Sequence, residues 1–210
     1  MLACFFDYTC YSMAEERWFA NLITGLFTNH NRAFSVIRQS PLPGFGLFAF
    51  LLLLIGSAGR MLVSLRGYGF SPEAGQLPFG VPGLLVLLSL HLLAFLLTWY
   101  LGAVMVSKLS ASFGPGMGLA DTWKLVVVSY APFMLVQPLT LLAIAGQWIG
   151  FVGLVSALVL FAQGVTCLKF IPRKKMVGFT LVAFFVFLGL SYLFTNIMMD
   201  IFVGLFIFKG

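Results

Sequence analysis

No Asp, Glu, Lys or Arg falls between Lys124 and Lys169. A straight helix over residues 125–168 would be about 66 Å long, twice the roughly 30 Å hydrocarbon thickness of a bilayer. The stretch is too long for one crossing and the right length for two, with a break near Gly146-Gln147-Trp148. Apolar blocks of crossing length lie on both sides, so the pattern predicts five spans: residues 43–64, 83–106, 123–145, 148–170 and 176–199. Gly67, Gly69, Pro72, Gly75, Pro78 and Pro82 mark one loop. Gly114-Pro115-Gly116-Met117-Gly118 marks a flexible second one, and Pro172 among Lys169, Arg173, Lys174 and Lys175 marks a polar turn. Asp200 to Gly210 is apolar but too short to cross again. The expected fold is all-α: a polytopic transmembrane helix bundle over residues 43–210, preceded by an N-terminal segment, 1–42.

That segment has its own periodicity. Trp18, Phe19, Leu22, Ile23, Leu26 and Phe27 recur on one helix face, opposite Glu15, Glu16, Arg17, Asn21, Thr24 and Thr28. A second short helix is expected after Asn31, with Ala33, Phe34, Val36 and Ile37 apolar, ending before Pro41. Such helices lie in the bilayer interface; a docking face for a soluble partner is the other reading, and the two are compatible. Residues 1–12 show no pattern, whereas Met13-Ala-Glu-Glu-Arg-Trp-Phe opens a patterned helix and offers an alternative start.

Composition agrees with membrane residence. The chain is 61% hydrophobic and 9% charged, against roughly 25% charged in soluble domains, and its mean hydropathy is +1.06. The net charge of +6 carries no basic cluster interleaved with aromatics, so nucleic acid is not an expected partner; the lipid bilayer is. With the N-terminal segment on one side, nine Lys and Arg fall there and three on the other. Positive-inside bias then puts the N-terminus in the cytoplasm and the C-terminus outside. No cleavable signal peptide is expected, because the first long apolar run starts only near Leu42. Cys4, Cys10 and Cys167 read as reduced thiols rather than a disulfide framework or a zinc site.

Catalytic patterns are missing. Two histidines, His30 and His91, cannot make a His-Glu-x-x-His pair, and no Gly-x-Ser-x-Gly occurs. The glycine-rich loop at 114–118 has no Lys-Ser/Thr after it, so it is not a phosphate loop. The expectation is a protein without enzymatic turnover, cofactor or metal.

Polar residues inside the spans are few. His91 falls mid-span and is a functional suspect; without an acidic neighbour, a neutral imidazole bonded to backbone or amide is the preferred reading over a proton relay. Arg60 is expected to snorkel to the interface. Span three is the richest, and its candidate polar or kink site is Tyr130, Pro132, Gln137 and Pro138. The two prolines free the carbonyls of Val128 and Met134. A kinked helix satisfied by its neighbours is the first reading, and a broken helix lining a transport site the second. Gly146-x-x-x-Gly150 offers a small-residue contact at the hairpin.

Three short motifs suggest a family. Arg32-Ala33-Phe34-Ser35-Val36-Ile37 precedes Pro41, Val128-Ser129-Tyr130-Ala131-Pro132 lies in span three, and Phe170-Ile171-Pro172 closes span four. Together with five spans after a cytoplasmic N-terminus, the layout over residues 18–206 resembles the Yip family of Ypt/Rab-interacting membrane proteins, in particular its prokaryotic branch. The resemblance implies a non-enzymatic scaffold for membrane organisation or trafficking in an inner (cytoplasmic) membrane, associating with itself or with related membrane proteins. Eukaryotic members carry an Asp-Leu-Tyr-Gly-Pro motif ahead of the spans; its absence here argues against binding a Rab-type GTPase. A small transporter or channel component using the broken third span is the alternative.

Overall fold

The computed structural model describes residues 34, 42–67, 80–141, 143–168 and 171–206. Among them are five helices long and apolar enough to cross a membrane. They are α1 (Leu42–Gly67), α2 (Gly80–Phe113), α3 (Leu119–Val136), α4 (Ala143–Leu168) and α5 (Arg173–Phe206), with a 3-10 turn, Gln137–Leu141, continuing α3. The chain is an all-helical, multi-pass membrane protein.

The boundaries differ from the hydropathy reading in two instructive ways. The break between spans three and four comes at the 3-10 turn and not at Gly146-Gln147-Trp148, because Pro138 has no N–H to continue the ladder. Secondly, α2 and α5 are each 34 residues, far past the hydropathy limits. At about 51 Å they exceed the hydrocarbon thickness, so their ends extend beyond it. Asp200 and the residues to Phe206 thus continue α5 rather than forming a separate tail.

Contacts fix the directions. Leu125 and Val136 of α3 lie at Gly164 and Gly153 of α4, so these two are antiparallel, and Ser64 of α1 meets His91 of α2. Gly56 and Gly59 of α1 face Met134 and Gln137–Pro138, which sets α1 parallel to α3. Gly102 of α2 receives the ring of Phe187 of α5. In α3, 56% of the span is buried inside the protein, against 28–39% for the other four. This central place explains why α3 tolerates the most polar sequence: its hydroxyls and amide face protein, not lipid.

Leu47, Phe50, Leu85, Phe151, Phe185 and Tyr192 are exposed while Phe45, Leu87, Trp99 and Phe179 are buried. Both faces are apolar because lipid replaces water outside, and association then rests on close packing more than on hydrophobicity. The core joins Phe45, Phe48 and Leu52 of α1 to Trp99 of α2, Val127 and Tyr130 of α3, Phe161 of α4 and Phe187 of α5. Trp99 and Trp123 meet edge to face at 6.2 Å, as do Tyr130 and Phe187 at 4.4 Å.

The loop at 114–118 is not the flexible turn its glycines suggest. Ser110 Oγ accepts from the Met117 N–H, Ser107 Oγ donates to the Met117 carbonyl, and the Met117 side chain is buried. Gly116, at φ +84°, supplies the left-handed residue the turn requires.

Phe34 is helical and buried in the core. Its ring lies against Gly164 of α4 beside Leu125 of α3, so it fixes one point of the N-terminal segment to the bundle. The candidate face Trp18, Phe19, Leu22, Ile23, Leu26 and Phe27 lies outside the described residues, as do Cys4 and Cys10.

Candidate functional site

Serine and arginine at 57, 60 and 64 recur at i, i+3 and i+7, one stripe of α1. Beside that stripe, Gly56 and Gly59 bring the α1 backbone directly onto Met134, Gln137 and Pro138. Small residues let α1 approach the point where α3 loses its regular helix, and the polar stripe comes with them.

The proline break itself is satisfied. Pro138 cannot donate to the Met134 carbonyl, but the Gln137 N–H reaches it by tightening into the 3-10 turn. Thr140 Oγ1 donates to the Gln137 carbonyl at 2.6 Å, and an Arg66 guanidinium N–H donates to Leu141 O at 3.0 Å. The Met134 carbonyl is therefore not a ligand in waiting. Gly146 lies where a Cβ would strike the Thr140 carbonyl, which seats the start of α4 on the turn; Gly150 is in ordinary contact with the Thr140 methyl.

His91 is likewise settled. Its Nδ1 lies 2.8 Å from the Leu87 carbonyl, and a carbonyl can only accept, so Nδ1 carries the proton. Nε2 and Ser64 Oγ share a second hydrogen bond at 3.3 Å. The imidazole is bonded to backbone, as preferred from the sequence, and links α1 to α2.

Several polar atoms are not settled. Ser57 Oγ, Tyr130 OH and Gln137 Oε1 are buried without a hydrogen bond, on residues with 0%, 3% and 2% exposure. Tyr130 OH points toward Ser191 of α5 but does not meet hydrogen-bond geometry with it. Arg60, half-buried, lies within electrostatic reach of both Tyr130 and His91. Its backbone position lies on the stripe of α1 that carries the buried Ser57 and the Ser64 that meets His91. Among the described residues no hydrogen bond or ion pair holds its guanidinium; the described acids are Asp121 and Asp200.

Of the four residues picked from span three, Tyr130 and Gln137 belong to this polar region, whereas Pro132 and Pro138 shape the helix. Tyr130 and Gln137 sit about two turns apart, so they do not converge on one point. A crevice beside Tyr130, between α3, α4 and α5, is lined by Val126, Ala157, Phe161, Ala183 and Phe187 and holds about 10 Å³. That is room for roughly one water, not a solute path. Sequence reading missed Ser57; the i, i+3, i+7 spacing with Arg60 and Ser64 was the signal that could have found it. Among the described residues no group of His, Cys, Asp and Glu could hold a metal ion.

No family model, curated protein or solved structure matches this chain.

Proposed function

We propose that the chain is a non-enzymatic membrane scaffold of the Yip type, in which the N-terminal segment is the working surface and the five helices are its anchor. The observation that carries the reading is the close-packed, interlocked interior of the described residues. Bulky side chains fill the notches left by Gly56, Gly102, Gly153 and Gly164, and the crevice at Tyr130 is too small for cargo. Phe34, docked in the core, would hold the amphipathic face of residues 18–27 close to the bundle end bearing Lys124, Arg173, Lys174 and Lys175. The same basic end supports a cytoplasmic N-terminus and an inner membrane location, since it is the Lys- and Arg-rich side. The partners are lipid and further copies or relatives of the chain.

The test is self-recovery from membranes carrying tagged and untagged copies. The untagged chain should co-purify with the tagged one, and Trp18→Glu with Phe27→Glu should abolish this while both chains still insert. Copies that never co-purify would defeat the reading.

The alternative is a small transporter or channel component. It is favoured by one observation, the buried and unpartnered Ser57, Tyr130 and Gln137 atoms. Solute flux in proteoliposomes that vanishes in Gln137→Leu would promote it.

A further inference from the structure

Three cations open α5. Arg173, Lys174 and Lys175 are all exposed, and the chain on either side holds them in place. Ile171 is buried in the core just before them and Phe179 just after, and the Lys175 N–H donates to the Pro172 carbonyl at 2.9 Å. Among the described residues none of the three has an ion pair or a side-chain hydrogen bond. Like charges crowded at the positive end of a helix dipole stay uncompensated until an anion joins them.

Below the cations, the same helix face suits hydrocarbon. Lys174, Gly178, Leu181 and Phe185 recur at i, i+4, i+7 and i+11 on one stripe, and all four are exposed. Among the described residues, a Cβ on Gly178 would meet only the Phe113 ring, at 3.8 Å, from the end of α2. Gly178 therefore leaves a shallow trough under Lys174, walled by Phe113 and continued by Leu181 and Phe185. From Met176 to Met199 α5 carries no charge, a run of about 36 Å that covers the roughly 30 Å of hydrocarbon. The three cations thus stand at the depth of the phosphates.

We propose that an anionic phospholipid seats here, its phosphate on Arg173, Lys174 and Lys175 and its glycerol in the trough at Gly178, with an acyl chain along Leu181 and Phe185. The guanidinium fork matches two phosphate oxygens, and the ammonium groups add point charges. An acidic soluble segment would match the cations but not the exposed apolar stripe beneath them. The inference rests on membrane residence and not on the scaffold reading, so failed self-recovery leaves it standing.

The experiment unfolds the purified full-length protein by heat in neutral detergent. The micelles carry phosphatidylglycerol or phosphatidylcholine of the same chains, and a third sample carries soluble polyglutamate. Phosphatidylglycerol at tenfold its Kd should raise Tm by roughly 3–6 °C above the phosphatidylcholine value. Arg173→Gln, Lys174→Gln and Lys175→Gln together should remove the difference while keeping the lipid-free midpoint, because these side chains hold no partner in the bundle. Gly178→Leu fills the trough with every charge kept and should lose most of the difference. Lys108→Gln should keep it, since Lys108 is exposed on α2 but turned about 140° around the helix from Phe113. No excess over phosphatidylcholine, an excess that the triple variant retains, or an equal loss in Lys108→Gln overturns the proposal. A rise with polyglutamate but not with phosphatidylglycerol overturns it in favour of an acidic protein partner.

Discussion

The ring of Phe34 occupies the space that a side chain on Gly164 would need. One glycine on α4 therefore decides whether the N-terminal segment is held against the bundle or released from it. Alanine at 164 meets only flexible atoms, from Phe34 and Leu125, and should be tolerated with a small shift. Gly164→Leu should expel the ring, and Phe34→Ala should empty the notch. Either should raise the trypsin cleavage rate at the flanking Arg32 and Arg38 by roughly tenfold or more, corresponding to a docking loss above about 1.4 kcal/mol. Unchanged cleavage in both variants would mean that Phe34 does not hold the segment.

Gly59 faces backbone, and backbone cannot step aside. A Cβ there would lie 2.5 Å from Pro138 N and 2.7 Å from the Gln137 carbonyl carbon. Gly59→Ala should destabilise the bundle by about 3 kcal/mol, the upper end of overpacking costs. Gly46, with nothing within 4 Å of its Cβ position, is the control on the same helix. Thermal unfolding in detergent compares them directly, and equal midpoints would refute the α1–α3 contact.

Ser64 and His91 should be energetically coupled. Ser64→Ala and His91→Leu remove opposite ends of one hydrogen bond, so a double-mutant cycle should return a coupling of about 1 kcal/mol. His91→Leu should cost more than Ser64→Ala, since it also leaves the Leu87 carbonyl without its side-chain donor. Additive effects would show that the contact contributes nothing.

Orientation is testable with single cysteines in a background lacking Cys4, Cys10 and Cys167. Positions Gln76 and Phe208 should react with an impermeant reagent from outside, and Ser112 and Lys174 only after permeabilisation. Labelling of Lys174 from outside would reverse the proposed orientation.

Five spans, their order and the membrane as solvent were legible in the chain, because backbone in hydrocarbon must be helical and each helix must be apolar for a crossing length. The backbone bond of His91 was legible too, from the scarcity of acids. Side-by-side arrangement was not. With lipid outside and protein inside both apolar, the residues of a span do not mark which face is buried, and the period that locates a core in a soluble helix is faint. Only the folded bundle decided that α3 is central, that Gln137 closes its own proline break, and that Gly59 and Gly164 are contact points. Ser57 is the sharpest case: a serine on an apolar helix can face lipid or protein with the same sequence, and its burial is decided by which neighbouring helix stands beside it.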